Sequence, residues 1–397
     1  MYLPPNFHLT YCTNIHPGED WNSTFKALNT YLPKIKQGLA PEEPLGIGLR
    51  LSNWASEQLG LEDRLLAFNT WLKAQHCYVF TMNGFPFGNF HGQRVKDQVH
   101  QPDWTTPERF DYTLRLFKQL SILLPEGMEG GISTAPISYK HWHQELQTEQ
   151  VFRQGAEQMA QMAVALWEME KNQGPYLHLD IEPEPDGLLE NTADVLQFFE
   201  TYLVPAAKAT FAQKEIDAKT AETLVKKYIT VCYDVCHFAL AYEEPGHTFT
   251  QLKAQHIRVG KVQISAALKA VKGNRDYDQV VAALKPYDEP VYLHQVTQKV
   301  GQGVVTYEDL PQFFSSAPEF EEIRAHFHVP IFLEDFGGLA STQDHIIKTL
   351  TYLKQHPETT NHLEVETYTW EVLPKSLKAP LTTSVVRELQ WVKDHLK

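Results

Sequence analysis

The alternation of apolar, β-branched runs with amphipathic helical stretches constrains this chain most. Ten runs read as strands: His8–Ile15, Gly46–Ser52, Cys77–Phe85, Gly131–Ser138, Tyr176–Ile181, Thr230–Asp234, Gly260–Ser265, Val291–Val296, Ala325–Phe332 and His362–Trp370. Helical patterns lie between them, among them Trp54–Gln75, Pro107–Leu124, Gln150–Lys171, Thr192–Gln213 and Ser341–His356. Parallel strands need long crossovers, usually helices, so this alternation predicts a parallel sheet with helices outside. No Gly-x-Gly-x-x-Gly follows the first strand, so a dinucleotide-binding Rossmann domain has no support. No linker or low-complexity tract divides the chain. The expectation is an α/β protein: a single (β/α)8 TIM barrel over residues 1–397, with inserted loops or a hairpin. Ten candidates for eight places leave a surplus. Val291–Val296, Ala325–Phe332, or both, are expected in an insertion.

A hydrophobic fraction of 43% with 12% aromatics is enough for a large core, and the formal charge is -14. An acidic surface repels phosphate backbones, and Lys and Arg are scattered, so nucleic acid is not an expected partner. Cys12, Cys77, Cys232 and Cys236 form no Cys-x-x-Cys pair and suggest no disulfide framework. Met1-Tyr2-Leu3-Pro4-Pro5 has neither the basic nor the apolar region of a signal peptide. There is no 18-residue apolar run, so no membrane insertion is expected. The expected setting is cytoplasmic, with a small polar metabolite as partner and a homo-oligomer left open.

In such a barrel the active site lies at the C-terminal ends of the strands, so polar residues there are the candidates. The run Val231-Cys232-Tyr233-Asp234-Val235-Cys236-His237 starts as a buried strand and ends in Asp-x-x-His. A carboxylate and an imidazole at that turn suit a divalent metal of the Mn, Co or Zn type; the bland alternative is an Asp-His pair at a helix start. In Tyr176–Pro185, alternation places His178, Asp180 and Glu182 on one face, with Glu182 at the strand mouth. On the next strand Gln263 shares a face with Ser265 and is an orienting residue or weak ligand. His294 reaches the pocket from a loop. His326 and His328 share a face and could bind one metal or simply line a wall. Glu364 and Glu366 share a face on the last strand. An inward carboxylate pair is costly unless metal, proton or a partner neutralises it. Glu366 is the better ligand, and Glu364 is either in a supporting role or paired with a deeper Lys or Arg. For substrate, His16 flanks the first strand. Asn83 and His91 lie in the aromatic, Gly-rich loop Thr81–Gly92, with Lys96 just beyond.

The order strand-end Glu182, then Asp234-x-x-His237, then a polar strand end, then Glu366-Thr367 resembles the xylose isomerase-like TIM-barrel superfamily. That group includes sugar isomerases, ketose 3-epimerases, inosose dehydratases and endonuclease IV. Cys232-Tyr233-Asp234-Val235-Cys236-His237-Phe238-Ala239 is similar to the Asp-x-Cys-His-Ala segment of the endonuclease IV branch. The resemblance implies a divalent metal (Mn, Zn, Co or Fe). Glu182, Asp234 and Glu366 would be ligands, with Glu182 and Glu366 moving a proton and His237 holding a substrate oxygen. Gln263 stands where the family's next ligand is His or Asp, so His294, His326 or His328 replaces it, or metal binds loosely or not at all. Phe80-Thr81-Met82-Asn83-Gly84-Phe85-Pro86, Val235-Cys236-His237, His326-Phe327-His328-Val329-Pro330 and Leu363–Trp370 also resemble the EboE metabolite-traffic proteins of bacterial secondary-metabolite clusters.

The first reading is a metal-dependent isomerase or epimerase of a sugar-like or polyhydroxylated metabolite. The second is a non-catalytic binder or carrier using the same pocket. A metal-free glycosidase built on Glu182 and Glu366 and an abasic-site endonuclease follow, the latter disfavoured by the acidic charge.

Overall fold

The computed structural model describes residues 1–88, 95–375 and 377–397. Eight parallel strands run round a barrel: β1 (Phe7–Tyr11), β2 (Leu45–Arg50), β3 (Cys77–Asn83), β4 (Gly130–Thr134), β5 (Leu177–Ile181), β6 (Ile229–Asp234), β7 (Val259–Ile264) and β8 (His362–Val365). Each pairs in parallel with the next from β2 to β8, and β8 pairs with β1. The seam between β1 and β2 closes through a single Cys12–Gly48 bridge and through Thr10. The Thr10 hydroxyl donates to Gly46 O at 2.8 Å and accepts from Gly48 N at 2.9 Å. The expected (β/α)8 barrel is the observed fold, with Tyr2–Leu3 as a short antiparallel addition beside β1.

Outward residues of the strands are apolar and pack on the helices. Leu177, Leu179 and Ile181 of β5 are fully buried. The long helix Glu145–Lys171 lays a buried stripe that includes Ala156, Met159, Ala160 and Ala163 at helical spacing. The expected helix Trp54–Gln75 is two helices, Asn53–Leu59 and Arg64–Ala74, broken around Gly60 and Glu62, whose φ is 54°.

The barrel interior departs from the usual filling of branched apolar side chains. Lys261 on β7 reaches Glu364 on β8 at 2.6 Å and Ser133 on β4 at 2.9 Å, with lysine and glutamate wholly buried. Gly48 on β2 makes room for this pair, because a Cβ there would collide with the Glu364 carboxylate. Gly48→Ala should therefore cost about 1–3 kcal/mol, as overpacked cores do. Urea denaturation that finds it neutral would show that Glu364 moves freely.

Both surplus runs belong to one insertion between β7 and the helix Gln343–Gln355 that precedes β8. It is an antiparallel six-stranded sheet ordered Gly303–Tyr307, Val296–Val300, Glu322–Ala325, Leu268–Val271, Leu339–Ser341, Asp335–Phe336. The strands are displaced from the expected runs. Val296–Val300 begins where Val291–Val296 was expected to end, and Glu322–Ala325 stops where Ala325–Phe332 was expected to start. The apolar residues Phe327, Val329 and Ile331 are buried without forming a strand. Burial alone made that run look like one.

Candidate active site

β6 shows how the chain places its most informative motif. Asp234 ends the strand and caps the helix Val235–Leu240, its carboxylate accepting from His237 N at 3.1 Å. The capped turn swings His237 back over the barrel mouth. The motif is a helix start, as the bland alternative has it, and both side chains are buried.

Glu182 from the end of β5, Asp234 from β6 and Glu366 just past β8 bring carboxylate oxygens within 4.8 Å of one another. At their centre stands Gln263 of β7. Its Nε2 lies 2.9 Å from Glu182, 3.0 Å from Asp234 and 2.8 Å from Glu366. An amide nitrogen carries two hydrogens, so three acceptors cannot all be satisfied by it. Ser265 donates to Asp234 at 2.7 Å. Asn14 and Asn83 donate to the other Glu366 oxygen at 2.7 and 2.9 Å. Glu182 Oε2 is buried with no hydrogen-bond partner among the described residues.

Three buried carboxylates in one place cannot all ionise cheaply. Burial, then Asp234, pushes the Glu182 carboxyl well above its usual range. Burial, then Glu182, does the same to Glu366. For Asp234, burial works against ionisation, but His237, His328, Ser265 and Gln263 outweigh it and hold its carboxyl low. Asp234 is the member that carries the charge; Glu182 and Glu366 hold protons or need a cation.

The insertion adds imidazoles beside this cluster. His237 Nδ1 donates to Pro183 O at 3.0 Å, and His326 Nδ1 to Gln295 Oε1 at 2.9 Å. His328 Nδ1 donates to Glu366 O at 2.8 Å. A ring held through Nδ1–H turns its Nε2 outward, the orientation seen in metal-ligating histidines. His237 and His326 Nε2 lie 3.1 Å apart, and His328 Nε2 is buried without a partner among the described residues. Burial keeps His326 neutral and lowers His328 to about 4. Glu184 joins His237 and His326 as one candidate ligand group, and Asp234 joins His237 and His328 as another.

These residues border a cavity of about 80 Å³ at the barrel mouth. Glu182, Glu184, His237, His326 and Glu366 line it together with Asn14, Asn83 and Lys96. Lys96 is paired with Asp309 of the insertion at 2.5 Å. His294 stands apart from the carboxylates: Glu289 holds its Nε2 at 2.9 Å, and its Nδ1 lies 3.1 Å from His326 O. With both nitrogens engaged it offers no free ligand atom, which corrects the expectation placed on it. His16 hydrogen-bonds Tyr11 at 2.9 Å and stacks on Tyr31, so it does not line the cavity. His91 lies outside the described residues. Sequence reasoning overlooked Glu184, which His100 contacts at 2.9 Å, and Gln295, which orients His326. Glu184 had a signal, two residues past Glu182 in a Pro-flanked loop. Gln295 had none.

No family model matches the chain, and no curated protein matches it. Similar solved structures are xylose isomerase-like TIM-barrel proteins. A xylose isomerase domain protein from Planctomyces limnophilus is 11% identical, with 98% of each chain covered and a TM-score of 0.49. A xylose isomerase-like TIM barrel protein from Mycobacterium smegmatis, in complex with magnesium, is 8% identical, with 100% of this chain and 98% of that chain covered and a TM-score of 0.49. The probable 3-DHS dehydratase AsbF of petrobactin synthesis from Bacillus anthracis is 10% identical, with 97% and 98% covered and a TM-score of 0.44.

Proposed function

We propose that this protein is a metal-dependent enzyme of the isomerase or epimerase type acting on a sugar-like or polyhydroxylated metabolite. The observation that carries the reading is the convergence of Glu182, Asp234 and Glu366 at the strand mouths, where one amide nitrogen is shared among three carboxylates. The donor set fits a divalent cation. Glu182, Asp234 and Glu366 would hold it, and Gln263 would add its amide oxygen after turning that group over. An all-oxygen set favours Mn, while His237 and His328 beside it favour Zn, Co or Fe. Such an ion polarises a carbonyl and stabilises the negative charge that follows proton loss.

The side chains divide the remaining work. Glu182 and Glu366, whose carboxyls burial and their acidic neighbours push upward, flank the site and are the groups placed to take up and return a proton. Asn14 and Asn83 fix Glu366 in place, His237 faces the substrate oxygens, and Lys96 stands at the rim. The EboE resemblance supports a place in a bacterial secondary-metabolite pathway.

Gln263 favours one competing reading. Its amide already satisfies part of the carboxylate cluster without an ion, as a metal-free carrier would require. Metal content by plasma mass spectrometry, followed by a screen of sugars and cyclitols, separates the two. The enzyme reading expects near-stoichiometric metal and turnover that Glu366→Gln lowers by about 10²–10⁴-fold with the fold intact. Tight metabolite binding by a protein that holds no metal sensitive to Glu182→Ala or Asp234→Ala, and turns nothing over, would establish the carrier.

A further inference from the structure

We infer a second divalent-cation site at the opposite, N-terminal end of the barrel, formed by Glu129, His178 and His362. It stands apart from the mouth cluster and does not rest on the reading given for it.

Three elements bring these residues together. Glu129 immediately precedes β4, His178 is the second residue of β5, and His362 is the first of β8. One ligand atom from each lies within 4.8 Å of the others. The two rings stack with centroids 5.3 Å apart. Both histidines are fully buried. His178 Nδ1 donates to Asp180 Oδ1 at 2.5 Å, and Thr230 donates to the same oxygen. That carboxylate–imidazole pairing is the support metal-binding histidines receive, and it leaves Nε2 with its lone pair outward. His178 Nε2 has no partner among the described residues, and neither nitrogen of His362 has one. A wholly buried imidazole with both nitrogens unpartnered is costly unless a water or ion meets it. Glu129 Oε1 accepts from Asn361 at 3.0 Å, and Arg258 pairs with both Glu129 oxygens at 3.4 Å; each carboxylate oxygen has two lone pairs, so Oε2 keeps one for a ligand bond.

Two imidazoles and one carboxylate match the protein ligands of open zinc sites, where a water completes the set. Glu129, Asn361 and His362 also line a cavity of about 850 Å³ at this end of the barrel, which gives an ion and its water a way in. Bound there, zinc ties the starts of β4, β5 and β8 together.

The test is zinc stoichiometry by equilibrium dialysis of the full chain, with cobalt absorption as a second readout. Wild type should bind one equivalent that survives Glu182→Gln combined with His237→Asn at the barrel mouth. His178→Asn should lose it. Asp180→Asn, which removes only the supporting carboxylate, should weaken it about 10–100-fold. Glu129→Gln, at the partly exposed rim, tests the site in a variant with little reason to misfold. Unchanged stoichiometry and affinity in both Glu129→Gln and His178→Asn would overturn the proposal. So would the disappearance of all zinc with the mouth variants alone.

Discussion

Replacing Lys261 by Met is expected to cost the barrel about 3–5 kcal/mol, because it strands Glu364 as an uncompensated buried charge. The lysine and glutamate are both at 0% exposure, 2.6 Å apart, in the middle of a closed sheet. Burial alone would discharge the lysine, yet the attraction of Glu364 more than offsets it and raises the Lys261 pKa. The pair survives because each charge meets the other and Ser133 accepts a second hydrogen bond from the lysine. Lys261→Met with Glu364→Leu should recover most of the loss, since an apolar pair of similar volume avoids the desolvation of both ions. Urea denaturation of the single and double variants is the measurement. A double variant as unstable as the single would mean that the pair contributes packing, not charge balance.

Glu388 predicts the second large effect, and it is pH-dependent. This glutamate lies on the terminal helix Leu381–Leu396 and is buried against the segment after β8. Thr367 donates to it at 2.7 Å and Ile331 N at 3.3 Å. Burial raises its carboxyl from 4.5 to about 8, against the pull of those hydrogen bonds. The native state therefore keeps a proton that the unfolded chain gives up. That contribution is complete below pH 4.5, declines as pH climbs towards 8, and levels off above. The total is on the order of 4–5 kcal/mol. Glu388→Gln keeps an acceptor for Thr367 and cannot ionise, so it should be near neutral at pH 5 and clearly stabilising at pH 9. Thermal melts at the two pH values decide it. Equal effects at both would show that water reaches Glu388 and keeps its pKa ordinary.

The comparison of sequence with structure turns on the kind of signal each residue leaves. Glu182, Asp234 and Glu366 could be nominated because a strand alternates strictly and ends at a visible break, Pro183 after Glu182 and the capped turn after Asp234. The same alternation put His178 and Asp180 on the face of Glu182 and Glu364 on that of Glu366, and left Glu364 either in a supporting role or paired with a deeper Lys or Arg. It could not name Lys261, because partners across strands depend on stagger. Here the stagger shifts twice, between Ile47 and Gly48 on β2 and between Val231 and Cys232 on β6. Gln263 shows the limit most plainly. Its position on an inward face is local information, but its amide nitrogen reaching three carboxylates is a property of four strands together.

The inserted sheet lies further from what local patterns hold. Its strands pair Leu268–Val271 with residues some 50 to 70 positions later, so no short-range period marks them. His326 and His328 reached the site from a buried non-strand run, whereas His294, equally plausible by residue type, was captured by Glu289.

What the sequence alone determined is the barrel, its strand mouths and the three carboxylates upon them, since hydrophobic period and strand ends are written within a few residues. Tertiary structure alone decided which donors meet those carboxylates, which histidines keep a nitrogen free, and that the far end of the barrel gathers Glu129, His178 and His362. Those contacts join residues from 29 to 352 positions apart, and only the closed register of eight strands brings them together.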